Sequence, residues 1–178
     1  EIAEEIGRAP HGAMDAWRGA PLPADDEAER LAAGEPYAWR LSLDAAEAAL
    51  GDRALNFREE GHGPSGEHGL ITADPTLGGD VVLARKDVGM AYHLAVVVDD
   101  ALQGVTHVIR GQDLFGATHV QRLLQALLNL PTPVYRHHRL LTGADGKRFA
   151  KRDKAETLRD LRARGVTPGD LRREMGFD

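Results

Sequence analysis

The sequence predicts an α/β body followed by a small basic helical subdomain, and three neighbouring stretches carry that prediction. Residues 94–98 (Leu94, Ala95, Val96, Val97, Val98) form a short, unbroken apolar run with a β-branched end, as expected of a strand buried on both faces. Residues 105–109 form a second β-rich run after a turn at Gln103-Gly104, and Arg110 stands where it ends. Residues 118–128 then place Val120, Leu123, Leu124, Leu127 and Leu128 at the i, i+3, i+4, i+7, i+8 spacing of a helix lying on a sheet. Thr118 and Gln121 have the spacing of a capping box, and Pro131 blocks continuation of that helix. A cation at the carboxyl end of a strand, before a helix, sits where ligands bind in open α/β sheets.

Taken in order, residues 1–8 have helical spacing at Ile2 and Ile6 but no cap, and residues 11–26 read as loop. An acidic helix over residues 25–33 stops near Gly34, and Pro36, Tyr37, Ala38, Trp39, Arg40 and Leu41 make a candidate strand. Ser42 caps a short helix that ends at Gly51. Residues 55–80 are glycine-rich, with a flexible loop expected over residues 61–69. His62 and His68 lie in that loop without a third ligand nearby, so they read as surface histidines rather than a metal site. Residues 81–85 are a strand, and residues 86–89 turn into the central stretch. Residues 134–141 form a further strand on which His137 and His138 alternate to opposite faces, one packing inward. A helix with Leu158 and Leu161 ends at Gly165. Thr167, Pro168 and Asp170 then open a last helix that stops at Gly176.

The chain of 178 residues carries a net charge of −6, unevenly spread. Residues 135–178 hold twelve Lys or Arg against seven Asp or Glu, a net of +5, which leaves −11 for the rest. Such a basic end, with Arg159, Arg162, Arg172 and Arg173 on its helices, can hold a phosphate backbone locally or can simply be a solvated surface. Cysteine is absent, which excludes disulfides and thiolate metal sites. No run approaches a membrane span and no leader pattern is visible, so a cytoplasmic protein without a membrane partner is expected.

Arg110 is the residue best suited to recognise a carboxylate, because its planar guanidinium grips two oxygens where a lysine cannot. Tyr92, expected on the preceding strand, can add a phenolic hydrogen bond. The alternative on the residues alone is an ion pair from Arg110 to Asp99, Asp100 or Asp113, with Tyr92 in the core. Adjacent acids after a strand diverge, so Asp99 and Asp100 fit a helix-capping or arginine-holding role better than a metal site.

The segments Tyr92-His93-Leu94-Ala95-Val96-Val97-Val98-Asp99-Asp100 and Gly104-Val105-Thr106-His107-Val108-Ile109-Arg110-Gly111 resemble the class I glutamyl-tRNA synthetases. The likeness extends through residues 136–152 and is strongest to the shortened paralogues, the glutamyl-Q tRNA(Asp) synthetases, because Arg110-Gly111-Gln112-Asp113-Leu114 replaces the usual Arg-Gly-Glu-Asp-His. It implies the second half of a Rossmann-like catalytic domain over residues 79–141, an insertion-derived irregular α+β segment over residues 1–78, and a phosphate-covering loop with a helical subdomain over residues 142–178. It also implies ATP-dependent activation of glutamate and transfer to the queuosine base of tRNA(Asp), with Mg2+ accompanying ATP, in a monomer. Tyr92 and Arg110 match the family's glutamate contacts. Arg148-Phe149-Ala150-Lys151-Arg152 falls where the family carries its mobile Lys-Met-Ser-Lys-Ser loop, so Lys151 and, in place of the first lysine, Arg148 are the implied catalytic residues on ATP. Ala150 replaces the serine, whose role is not carried over. The family's His-Ile-Gly-His-type motif has no match and the zinc ligands of its insertion are missing, so the chain looks like the carboxyl-terminal part of a synthetase. A piece of an ordinary glutamyl-tRNA synthetase and a non-catalytic RNA- or protein-binding module remain the alternatives.

Overall fold

A computed structural model describes residues 19–87, 89–141 and 157–176. They fall into two compact units divided between Arg139 and Leu140, each described by itself.

The first unit begins with α1 (Ala24–Ala32), whose first turn carries Asp25, Asp26 and Glu27 against the positive end of the helix dipole. Next come β1 (Ala38–Arg40) and α2 (Leu43–Leu50). Ser42 caps α2 by accepting from the Ala45 amide, and Gly51 closes it at φ 56°. The glycine-rich stretch holds two strands that its composition hides, β2 (Asn56–Glu59) and β3 (Gly69–Thr72), paired antiparallel. The loop between them is a folded turn rather than a flexible one. Gly63 N donates to Glu67 O at 2.8 Å, Gly66 N to Gly63 O at 3.0 Å, and Gln112 Nε2 to His62 O at 2.9 Å.

β4 (Val82–Arg85) and β5 (Gly89–Met90) complete a three-stranded antiparallel sheet in the order β1-β4-β5. Residues 94–98 are not a strand: they lie inside helix α3 (Tyr92–Gln103). The apparent hairpin turn at Gln103-Gly104 is the end of that helix, with Gly104 left-handed at φ 66° and its amide bonded back to Ala101 O. The three valines favour a strand locally. Packing overrides this, because Val97 is 2% exposed in a cluster with Val81, Val120 and Leu124 that Val96 and Val98 flank. Asp99 and Asp100 are therefore two turns into a helix, not at a strand end, and Tyr92 opens that helix.

β6 (His107–Gly111) starts two residues later than the sequence indicates, so Arg110 is its penultimate residue. A short 3-10 turn (Gln112–Leu114) leads into α4 (Phe115–Leu127), and β7 (Val134–His138) returns parallel to β6. The second sheet runs β3-β2-β7-β6, with β2 also parallel to β7. Thr118 does not cap α4: the helix begins three residues earlier, and both Thr118 and Gln121 are buried within it. The helix is covered on most sides. Leu123 and Ala126 pack with Phe57, Phe115 and Tyr135, while Val120 and Leu124 join the Val97 cluster.

The second unit contains α5 (Leu158–Ala163) and α6 (Pro168–Met175). Reciprocal capping boxes, Thr157 with Asp160 and Thr167 with Asp170, open both helices, and Gly176 ends the second at φ 78°. Arg159, Arg162, Arg172 and Arg173 are exposed within this unit, and Arg173 pairs with Asp170. No described helix is long and apolar enough to cross a membrane.

Candidate active site

The β6–α4–β7 crossover places Arg110 at the carboxyl end of a parallel strand, and its guanidinium is held on several sides. Nε donates to His137 Nε2 at 3.1 Å, one terminal nitrogen to Thr118 Oγ1 at 2.6 Å, and the other to the Tyr92 hydroxyl at 3.5 Å. The Tyr135 ring lies beneath, with the guanidinium carbon 5.3 Å from its centroid. Sequence reasoning expected Tyr92 beside Arg110, and the structure brings the two together, although from a helix rather than a strand. Of the acids considered as partners, Asp100 is near enough for Arg110 to favour its charged form, against the burial that pushes its carboxyl up. The hydrogen bonds that fix the guanidinium go to neutral groups.

Beneath Arg110 lies a carboxylate that the sequence reading missed. Glu59, on β2, is fully buried. Its Oε1 accepts from the amides of Gly61 and His137, both at 2.8 Å, and its Oε2 accepts from His137 Nδ1 at 2.6 Å. The alternation of Leu55, Phe57 and Glu59 was the available signal, since it puts Glu59 on the inward face with Phe57. His137 is the inward histidine of its pair, 2% exposed, and His138 faces out. The Phe115 ring meets His137 edge-on at 5.2 Å, and Tyr135 stacks beside it at 6.2 Å.

Three histidines share this region. His93 is pushed down to about 4 by burial and then by the Arg110 charge. Burial also lowers His119, whose Nδ1 accepts from the Asp74 amide, and lowers His137 against the opposing pull of Glu59. In each case the unfolded chain binds its proton first as pH falls, so the stability these groups confer is whole above about 6.5 and drains below it. Each histidine should add up to ~1.4 kcal/mol per pH unit to that slope. Asp100, raised in the folded chain, works the other way only above its unfolded value of 3.8. Urea unfolding at pH 7.5, 6.5 and 5.5 should show stability falling through the lower interval; a flat profile would contradict the buried neutral histidines.

His62 and His68 are exposed and stacked, ring centroids 5.3 Å apart. Among the described residues no group of three or more His, Asp or Glu is placed to hold a metal ion. Lys151 and Arg148 lie outside the described residues.

Comparison with known proteins bears on this arrangement. The family described as tRNA synthetases class I (E and Q), catalytic domain, matches residues 66–175. The chain is 49% identical over 141 residues to a glutamyl-Q tRNA(Asp) synthetase of Rhodobacter capsulatus, covering 79% of this chain and 49% of that protein. It is 54% identical over 131 residues to the protein of that name from Neisseria meningitidis serogroup B, covering 74% of this chain and 40% of that one. The crystal structure of glutamate-tRNA synthetase from Elizabethkingia anophelis superposes with a TM-score of 0.56 at 26% identity, over 74% of this chain and 24% of that one. The chain thus spans about half the length, or less, of the curated relatives it matches. With a mixed α/β fold and a family match over most of its length, the chain belongs to the class I tRNA synthetases (E and Q), within their catalytic domain.

Proposed function

We propose that the full-length protein activates glutamate with ATP and transfers it to the queuosine base of tRNA(Asp). The observation that carries this reading is the anchored guanidinium of Arg110 beside the Tyr92 hydroxyl, at the carboxyl end of β6. A guanidinium has five N–H donors, and the three bonds above leave one on each terminal nitrogen, a pair suited to a carboxylate. Tyr92 accepts from Arg110 and keeps its own O–H to give to the same ligand. With the side-chain carboxylate gripped there, the substrate's other carboxylate attacks the α-phosphate of ATP. One oxygen–phosphorus bond forms, the bond to pyrophosphate breaks, and no general base is needed because the nucleophile is already ionised. Positioning and charge stabilisation carry such a step. Mg2+ accompanies the nucleotide as part of the ATP substrate.

The names of the relatives support the choice of acceptor, and the exposed arginines of α5 and α6 offer a surface for its phosphates. ATP–pyrophosphate exchange that requires glutamate, followed by transfer to queuosine-containing tRNA(Asp) and not to tRNA(Glu), is the expected result. Transfer to tRNA(Glu) instead would favour an ordinary glutamyl-tRNA synthetase. Lys151, with Arg148, is proposed to act on the phosphates. Lys151→Ala should therefore lower kcat by roughly 100-fold while glutamate KM changes less than about threefold, the pattern of an interaction made mainly in the transition state. A large rise in glutamate KM with kcat unchanged would place Lys151 on the amino acid instead.

A further inference from the structure

We propose that Glu59 and His137 are positioning residues for Arg110: the Glu59 carboxylate fixes the His137 tautomer, and the Nε2 lone pair so exposed aims the guanidinium. This rests on the reading of Arg110 as the glutamate-binding cation and adds to it the device that sets its orientation.

Donor and acceptor roles fix the protonation state of His137. An ionised carboxylate only accepts, so the 2.6 Å bond between Glu59 Oε2 and His137 Nδ1 requires the proton on Nδ1. Arginine only donates, so the 3.1 Å bond from Arg110 Nε requires a lone pair on His137 Nε2. Both demands are met by one neutral tautomer and by no other protonation state. Glu59 is held in turn by two backbone amides, from Gly61 and His137 itself, so the carboxylate cannot rotate without breaking buried bonds. Thr118 Oγ1 accepts from a terminal guanidinium nitrogen beside His137, 3.4 Å from its Nε2, and lies 3.4 Å from Leu114 O, to which its own hydroxyl can donate. Acceptors on β7 and α4 thus fix the plane of Arg110, while the carboxylate that orders them sits on β2, with no reach to the ligand.

The test uses the full-length protein with 15N-labelled histidine and three variants. Glu59→Gln keeps the shape, but its amide donates to Nδ1, which forces the proton onto Nε2 and sets an N–H against Arg110. Long-range 1H–15N spectra should show His137 protonated at Nδ1 in the wild type and at Nε2 in Glu59→Gln. Glutamate KM should rise about tenfold or more, with ATP KM and kcat at saturating glutamate within about threefold. His137→Gln can place an oxygen where Nε2 stood, whereas His137→Asn replaces only Nδ1. The glutamine should therefore recover most of the glutamate affinity that the asparagine loses.

If the tautomer switches and glutamate KM does not move, the positioning role is overturned while the glutamate site stands, provided Arg110→Ala still loses glutamate. If Arg110→Ala is itself silent, the underlying reading has failed instead. Equal effects of the two His137 variants would also overturn the proposal. Should either His137 variant fail to fold, the Glu59→Gln spectrum and its KM decide alone: an unchanged Nδ1 proton, or an unchanged KM, overturns it.

Discussion

Replacing Arg110 by alanine should severely reduce glutamate-dependent activation in the full-length protein while leaving the fold in place. A substrate carboxylate left without its charged partner costs about 2–5 kcal/mol, a loss of roughly 30-fold to several thousand-fold in kcat/KM for glutamate. The fold should survive because Arg110 reaches its partners from a strand end and is itself only partly buried. Thr118 keeps the Leu114 carbonyl as a partner and His137 keeps Glu59, with Thr118 Oγ1 3.4 Å from its Nε2, so the three guanidinium bonds and the cation–π contact over Tyr135 are lost without stranding a buried donor. Arg110→Lys should be nearly as damaging, since an ammonium cannot bond His137, Thr118 and Tyr92 at once and still fork a carboxylate. Circular dichroism and thermal melting close to wild type, with pyrophosphate exchange reduced by that factor, is the expected pair of results. Exchange kinetics within threefold of wild type would remove Arg110 from the glutamate site.

Elements whose signals are local were legible in the sequence. Ser42 before α2, Thr167-Pro168 with Asp170 before α6, and Gly176 after it behave as their chemistry requires, because a cap depends on neighbours three residues away. Arg110 at a strand end before a helix was legible for the same reason. Residues 94–98 were not, because a short apolar run has the same composition in a buried strand and a buried helix. Gln103-Gly104 then fits either a hairpin turn or a left-handed helix end. Thr118 misled in a related way. It has the spacing of a cap, yet its hydroxyl accepts from Arg110 across a buried face, a contact that no local spacing announces.

Glu59 was hidden more deeply. Asn56, Phe57, Arg58 and Glu59 have little β-branched content, and the strand they form exists because β3 and β7 pair with it on either side. A charged residue at 0% exposure is read as surface in a sequence unless its partners are known, and these come from residue 61 and residue 137. Tertiary pairing, not local propensity, makes this part of the site.

The same pairing fixes Gly61, two residues beyond the strand. Gly61 is buried, and a Cβ there would run into the His137 carbonyl oxygen, 2.8 Å from the His137 amide nitrogen and 2.9 Å from Glu59 Oε1. Two of those atoms are backbone of β7 and the third is a carboxylate held by its own hydrogen bonds, so none can move aside cheaply. Gly61→Ala should therefore push β2 and β7 apart where His62 N donates to His137 O, and pull Glu59 off the His137 amide. Overpacking of this kind, with buried hydrogen bonds broken, should cost about 2–4 kcal/mol of stability in urea unfolding. Gly116→Ala provides the contrast. It lies within α4, with nothing inside 4 Å of the added methyl and no positive φ, so it should be neutral or stabilising by up to about 1 kcal/mol. The Gly61 variant should also disturb the His137 imidazole signals, because the carboxylate that orders the ring has been displaced. A Gly61→Ala protein as stable as the Gly116→Ala one would mean that β2 and β7 are not packed around a buried Glu59, and the anchoring of Arg110 would need another source.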